Sequence, residues 1–458
     1  MYSIIALTVS GMIAMFLGFL KDRRVLMPLT ILFLLITLGI NVFDWNHPAT
    51  YIGHMMRTDN FSVGFSGIII LTTLLIIPLS QKYIRNNDIH LAEYYALLLF
   101  AVVGAIMMVS YLNLIMLFVG LEILSISMYV LAGSEKRNLK SNEAALKYFL
   151  MGSFATGILL FGIALVYGVT GQFNIDTIGR VISQSGQPSA ILIIGMLLIL
   201  IGMLFKVSAA PFHFWTPDVY EGTPTVFTTF MATVVKTAGF AALYRLLSTA
   251  FAGAYDDWWI VLAGMAILTL AIGNITAVYQ QSAKRMLAYS SISHAGYLLI
   301  ALTAASAGSQ KAILFYSLAY SVASIGAFGV LLAVADAKGS DNFDAFNGLG
   351  KTNPSLALVM TVCSLSLAGI PLTAGFFGKF FVFYAALQQN LTWMLIPAIL
   401  MTAVGVYYYF RIIIAMYLKE GEGEEINLAP AFQLVLVIAT VATLTLGIVP
   451  GVFSELFK

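Results

Sequence analysis

Residues 197–225 read LLILIGMLFKVSAAPFHFWTPDVYEGTPT, an apolar run that carries Lys206 and then meets three prolines. A bilayer core of about 30 Å takes about 20 apolar residues of α-helix. Lys206 therefore sits deep, behind a long apolar stretch. Pro211 has no N–H for the carbonyl of Val207, so a regular helix is expected to fail directly beside Lys206. Pro217, Gly222 and Pro224 make AAPFHFWTPDVYEGTP (209–224) a poor continuous helix. A second stretch has the same character. Residues 366–384 read SLAGIPLTAGFFGKFFVFY, with Gly369, Pro371, Gly375 and Gly378 just before Lys379. The surrounding apolar segment, 354–386, would be about 50 Å long as a straight helix, so it is expected to break or tilt steeply. Non-helical backbone at membrane depth survives only where protein or a water-lined cavity satisfies it. Two interruptions, one in each half and each beside a lysine, point to half-channels.

The rest of the chain fits the same solvent. Of 458 residues, 60% are hydrophobic and 10% charged, and mean hydropathy is +0.93. A soluble domain carries about a quarter charged residues. Candidate spans fall at 2–20, 25–43, 61–80, 91–109, 112–132, 144–169, 188–210, 224–247, 258–278, 283–302, 309–335, 354–386, 391–417 and 429–453. The fold class is thus all-α and polytopic, with about 14 transmembrane helices and no room for a soluble domain. These runs lack the two-residue alternation of transmembrane β-strands. With 23 basic and 21 acidic residues, the net charge of +2 offers no field for nucleic acid. Cys363 is the single cysteine, which excludes disulfides, Cys-ligated zinc and iron–sulfur clusters within the chain.

The run from Tyr2 to Leu20 has no basic n-region, and Lys21, Arg23 and Arg24 follow it, so it reads as a first span with its N-terminus outside. Inside loops then hold Lys21, Arg23, Arg24, Lys82, Arg85, Lys136, Arg137, Lys140, Lys284, Arg285, Lys338, Lys351 and Lys419. Outside segments hold only Arg57, Arg180, Lys311 and Lys458, a positive-inside pattern that returns the C-terminus to the outside. Spans starting near 91, 112, 190 and 224 have counterparts about 165 residues later. Five spans separate each pair, which inverts the second copy. The expected organisation is 1–90 for helices 1–3, 91–250 for a first five-helix repeat, 251–420 for its inverted copy, and 421–458 for a last helix.

Removing loop charges leaves Glu122, Lys147, Lys206, Lys236, Arg245, Lys379 and Arg411 inside the membrane. Each costs a few kcal/mol at a helix centre, and such residues commonly face the bundle interior and mark ion paths. Glu122 lies mid-span in LFVGLEILSISMY (117–129) and Lys236 in TFMATVVKTAGFAAL (229–243). The bland alternative for these, and for Lys206 and Lys379, is a static charge partner. Lys147 lies near a span end, four residues after Glu143, the spacing of a helix-face ion pair. Arg245 and Arg411 read as anchors, since guanidinium keeps its proton. Buried amines and carboxyls exchange protons nearer physiological pH than exposed ones do. Charges a few ångströms apart couple on the scale of the membrane potential, about 2.3 kcal/mol per 100 mV. A Glu–Lys–Lys–Lys series therefore suits proton movement. His213, in the first broken segment, and His294, in SSISHAGYLL (290–299), are core histidines or extensions of a water chain. No His/Asp/Glu cluster has metal-ligand spacing. Gly348-Leu349-Gly350-Lys351-Thr352 imitates the end of a phosphate loop, but the required earlier glycine is Ala345. No strand–GxGxxG–helix unit is present for a dinucleotide.

The stretches LFKVSAAPFHFWTPDVYEGTPT (204–225) and LSLAGIPLTAGFFGKF (365–380) resemble the broken helices of antiporter-like membrane subunits. Those subunits belong to proton-pumping NADH:quinone oxidoreductase (respiratory complex I), and Mrp-type cation/proton antiporters are their relatives. The similarity covers nearly the whole chain and is greatest to the N-type branch. The resemblance implies two inverted five-helix repeats with one broken helix in each. It also implies a proton relay. Glu122 matches the family's transmembrane glutamate, Lys206 the lysine of the first broken helix, Lys236 the bridging lysine and Lys379 the terminal lysine, where M-type members resemble a glutamate bearer. Glu143 and Lys147 match a secondary pair, and Pro211 and Pro371 mark the breaks. In that scheme Glu122 responds to a neighbouring subunit, Lys206 carries the proton, Lys236 relays it and Lys379 gates the outer half-channel. The resemblance further implies no redox centre in this chain. FMN, iron–sulfur clusters and a quinone are expected elsewhere in the complex. Partners would be antiporter-like neighbours, small helical subunits and the lipid of a bacterial cytoplasmic (inner) membrane, with both termini periplasmic. A cation/proton exchanger subunit and a catalytically silent membrane scaffold remain the alternatives.

Overall fold

The structure, a computed structural model, describes residues 1–19, 25–81, 91–184, 186, 188–421 and 425–451. Lys21, Arg23, Arg24, Lys82, Arg85 and Lys458, assigned above to loops, lie outside the described residues. In chain order the elements are α1 (Tyr2–Leu17), α2 (Leu26–Phe43), β1 (Ala49–Tyr51), β2 (Met56–Thr58), α3 (Asn60–Leu79), α4 (Leu91–Ser110), α5 (Leu114–Ala132), α6 (Leu139–Thr170), α7 (Ile175–Gln184) and α8 (Ala190–Lys206). There follow α9 (Trp215–Gly222), α10 (Thr225–Phe230), a π-helical segment (Met231–Val235), α11 (Lys236–Arg245) and a second π segment (Leu246–Ala250). The chain continues through α12 (Tyr255–Val278), α13 (Ala283–Ala304), α14 (Ser309–Lys338), α15 (Leu349–Thr352), α16 (Pro354–Ala368), α17 (Ala374–Gln388), α18 (Thr392–Leu418) and α19 (Pro430–Ile448).

Among the described residues, eleven helices are long and apolar enough to cross a membrane, and Tyr2–Leu17, Ala190–Lys206 and Pro354–Ala368 are shorter apolar helices. Polar side chains start several of them. Asp59 caps α3 in a reciprocal box with Ser62, Asn113 caps α5, Asn138 caps α6, and Ser189 and Ser282 cap α8 and α13. The helices differ sharply in exposure. The most apolar windows of α2, α18 and α19 are 28%, 33% and 33% buried, against 94% for α13 and 89% for α14. These two buried helices turn several serines and tyrosines and His294 inward.

The chain divides into two compact units. One comprises Met1–Ser208 and Val234–Leu262; the other comprises Ala209–Thr233 and Ala263–Lys458. In the first, α6 packs along α8, and α4 along α5 and α1. In the second, α14 packs on α16, α17 and α19, and α9 lies on α13. The first division of the chain falls at Ser208/Ala209, two residues beyond Lys206, and the next at Thr233/Val234, within the π segment that precedes Lys236.

Several sequence expectations need correction. Segment 209–224 is indeed no continuous helix, but within it the chain returns to helix at Trp215, and Pro217 lies inside α9. It occupies the third helical position, where the N–H has no intrahelical partner to lose. The Val207 carbonyl was never a helix-interior acceptor for residue 211, because α8 already stops at Lys206. Span 144–169 begins earlier, at Leu139, which places Glu143 and Lys147 within α6. Lys284 and Arg285 belong to the first turn of α13 and not to a loop, and Lys284 is buried. The short hairpin and the amphipathic α7 gave no apolar run long enough to register as spans. Segment 354–386 does divide, into α16 and α17.

Candidate proton-transfer sites

In the first unit the site begins on α5. Glu122, Ser125 and Tyr129 recur at helical spacing on one face. Across from them α8 ends at Lys206, and the backbone turns through Ser208 at φ 65. Lys206, 3% exposed, donates from Nζ to Ser125 Oγ (2.8 Å) and Tyr148 Oη (3.2 Å). The ammonium also lies 5.4 Å from the Tyr148 ring centroid, and Tyr148 meets Tyr129 edge-on at 4.7 Å. Glu122 is near enough for its charge to act on Lys206, yet its buried Oε1 accepts no hydrogen bond. This arrangement does not lock a charge in place. A hydroxyl accepts from an ammonium and donates to a neutral amine equally well. A carboxylate in direct contact would favour only the charged state.

Lys236, also 3% exposed, is the first residue of α11, directly after the π segment. π turns leave the regular hydrogen-bond ladder out of step and recur at functional positions. Farther along, the Tyr111 hydroxyl donates to the Ala242 carbonyl at 3.0 Å and fixes α11 in place. Lys147 and Glu143 form their i,i+4 ion pair at 2.7 Å, with both side chains substantially exposed (39% and 62%). Arg245 is an anchor: it is 5% exposed, donates to Asp59 Oδ1 at 2.7 Å and stacks on Phe61 at 4.8 Å. At Asp59, outside the span, burial alone would raise the carboxyl, but the Arg245 charge and bonds from Arg245 and Ser62 outweigh it and hold it below 3.8.

In the second unit the break between α16 and α17 is built from left-handed backbone. Gly369 sits at φ 87 and Leu372 at φ 70. A side chain at Gly369 would collide with Lys379, its Cβ lying 2.9 Å from Lys379 Cδ. The break frees the last carbonyls of α16, and Lys379 Nζ donates to two of them, Leu367 O (3.2 Å) and Ala368 O (2.7 Å). A cation at a helix C-terminus is favourably placed against the macrodipole. Tyr297 lies below the ammonium at 4.7 Å and hydrogen-bonds Thr402 (2.7 Å). His294, 4% exposed, engages Tyr316 Oη through Nδ1 (2.6 Å) and Tyr409 Oη through Nε2 (3.2 Å). A small cavity borders His294, Tyr316 and Tyr320 on one side and Ser366, Leu367, Gly375 and Gly378 of the break on the other. His213 is buried against Phe214, and its Nδ1 makes no hydrogen bond. Arg411 donates to the Val278 carbonyl at 2.5 Å and stacks on Phe343, again an anchor. Among the described residues no group of His, Cys, Asp and Glu is arranged to hold a metal ion.

The structure thus gathers Glu122 and Lys206 with two hydroxyls in one unit; in the other, His294 lines a cavity with Leu367, whose carbonyl Lys379 holds. Sequence reasoning missed the hydroxyls. Ser125 carried a signal, standing one turn after Glu122; Tyr148, Tyr316 and Tyr409 read as ordinary span aromatics. It also missed the cluster at the start of α13. There Lys284 donates to the Glu221 and Thr223 carbonyls (3.0 and 2.6 Å), and Arg285 bridges Asp218 (2.9 Å) and Glu221 (2.6 Å).

Residues 112–420 match the family described as NADH:quinone oxidoreductase/Mrp antiporter, TM. The NADH-quinone oxidoreductase subunit N of Flavobacterium psychrophilum is 41% identical over 456 residues, covering 100% of both chains. Among solved structures, a chain of respiratory complex I from Thermus thermophilus with bound aureothin superposes with a TM-score of 0.85 at 34% identity, covering 98% of this chain and 97% of that one. A chain of the Mrp complex from Dietzia sp. shares the fold, with a TM-score of 0.88 at 20% identity over 99% and 95% of the two chains.

Proposed function

The chain belongs to the NADH:quinone oxidoreductase/Mrp antiporter membrane family, and from that premise we propose that it is the N-type proton-translocating subunit of an NADH–quinone oxidoreductase. Glu122, Lys206, Lys236 and Lys379 carry the proton. Glu122 sets the charge beside Lys206, Lys206 loads and unloads, Lys236 relays and Lys379 controls release. Glu143–Lys147 tunes the approach to Lys206, and His213 and His294 extend the path. The redox chemistry, with its FMN, iron–sulfur clusters and quinone, belongs to other subunits. Neighbouring antiporter-like and small helical membrane subunits flank this chain in a bacterial inner membrane, with both termini on the periplasmic side. The three shorter apolar helices complete a set of fourteen crossings, arranged as inverted repeats over 91–250 and 251–420 with 1–90 and 421–458 outside them.

One observation supports this reading above the others. A fully buried amine, at the very end of an interrupted membrane helix, is held by two neutral hydroxyls beside a carboxylate whose buried Oε1 accepts no hydrogen bond. Such a site tolerates loss and gain of a proton, which a structural ion pair does not. Lys206→Ala and Glu122→Ala test it in membrane vesicles containing the assembled complex. NADH-driven acidification falls well below wild type at equal electron flux. If acidification persists at the wild-type proton-to-electron ratio in both variants, the relay is wrong.

A further inference from the structure

Within the second unit, buried hydroxyls continue from His294 in a direction that the lysine series does not use. His294 Nε2 meets the Tyr409 hydroxyl, and Tyr409 hydrogen-bonds Ser290, one turn nearer the Ala283 end of α13. On its other side His294 Nδ1 meets Tyr316, which lines the cavity against the break. Ser291, next to Ser290, interacts with Tyr220 and Tyr320. Tyr220 lies on α9 between Asp218 and Glu221, the two carboxylates that Arg285 bridges. That cluster is partly exposed, with Arg285, Asp218 and Glu221 at 30%, 38% and 24%. From there to Ser290 is only five residues along α13, about 7.5 Å of rise.

We propose that this file of hydroxyls is a proton wire feeding His294 from the Ala283 end of α13, with Tyr409 as the residue that hands the proton over. Each of its side chains is both donor and acceptor. Tyr409 gives its hydroxyl proton to His294 Nε2 while taking one from Ser290, and Ser290 takes its own from water entering at the partly exposed Asp218/Glu221 end, so one proton advances and every hydroxyl is restored. Tyr316 then accepts from Nδ1 and passes the proton toward the cavity beside Leu367, whose carbonyl Lys379 holds. The clamp of Lys284 and Arg285 on α9 keeps the entrance formed: Lys284 satisfies the carbonyls of Glu221 and Thr223, and Arg285 fixes the two carboxylates. The proposal rests on the proton-translocating reading above.

The test uses the assembled complex in vesicles. Tyr409→Phe removes only the hydroxyl, and acidification per NADH falls about tenfold, the effect of raising a transfer barrier by one lost hydrogen bond. Thr303→Val, on the same helix, removes a buried hydroxyl bonded to its own backbone at Leu299 and leaves acidification unchanged. A fluorinated tyrosine at position 409, which lowers the phenol's proton affinity without changing its shape, shifts the pH profile of pumping; a merely structural tyrosine would not. Wild-type acidification in Tyr409→Phe, or an unmoved pH profile with the fluorinated residue, overturns the wire. Either result alongside pumping-dead Lys206→Ala rejects the wire alone. Normal pumping in Lys206→Ala rejects the relay on which the wire rests.

Discussion

At the scale of single residues the site depends on partners that can change roles. Lys206 has no carboxylate in hydrogen-bonding contact, only Ser125 and Tyr148. Tyr148→Phe should therefore slow proton transfer several-fold, about 1 kcal/mol for one hydrogen bond, while NADH oxidation by uncoupled vesicles stays at wild-type rate; unchanged acidification would show that the phenol only packs. The anchors obey different rules. Arg245 and Asp59 form a largely buried pair stacked on Phe61, and removing one partner of such a pair costs about 3 kcal/mol. Asp59→Asn should lower the thermal midpoint of the purified protein at pH 7. The folded carboxyl is held below 3.8, so the pair's contribution is whole above that value and fades as pH falls through the depressed folded value. Thermal melts at pH 7 and 5 should accordingly show the same gap between wild type and variant, a gap that narrows only in stronger acid.

At the scale of elements, the interruptions do the work that the sequence announces and some that it does not. Gly369 and Pro371 could be read as a break because one favours positive φ and the other withholds an N–H. What could not be read is how tightly the two halves meet. Gly375 in α17 donates its N–H to Ser366 Oγ (3.0 Å), and a Cβ there would lie 1.8 Å from the Ser366 carbonyl oxygen. Gly375→Ala must push α17 off α16, at about 1–3 kcal/mol of overpacking. It should depress both thermal stability and pumping, visible as a lowered melting temperature and reduced acidification; a variant with wild-type values would mean that the break adjusts freely. The first interruption was legible as a break beside Lys206, but not the short helix inside it, since proline in a first helical turn is harmless and Pro217 sits there. Lys284 was misplaced for a related reason. A lysine in a helix's first turn is expected to face water, and here the carbonyls ending α9 draw it inward.

At the scale of the whole molecule, hydrophobic run length was enough to find nearly every apolar helix, because a bilayer leaves the backbone few alternatives. Positions of buried charge were legible for the same reason: each charge is costly enough to need a function or a partner. Hydroxyl partners were not, because serine and tyrosine are cheap in a membrane helix and carry no such signal. The two compact units each hold part of the ionisable series, with Glu122, Lys206 and Lys236 in one and His294 and Lys379 in the other. The central claim is that these amines lose and regain protons during turnover. Lys206→Arg examines it most directly, since arginine keeps the positive charge and hydrogen-bonding capacity but does not release its proton. Measured as NADH-driven acidification of vesicles carrying the assembled complex, with electron flux followed in parallel, the variant should retain NADH oxidation when uncoupled and lose most of its proton pumping. Pumping at the wild-type proton-to-electron ratio would show that a fixed charge suffices at position 206, and would contradict the account.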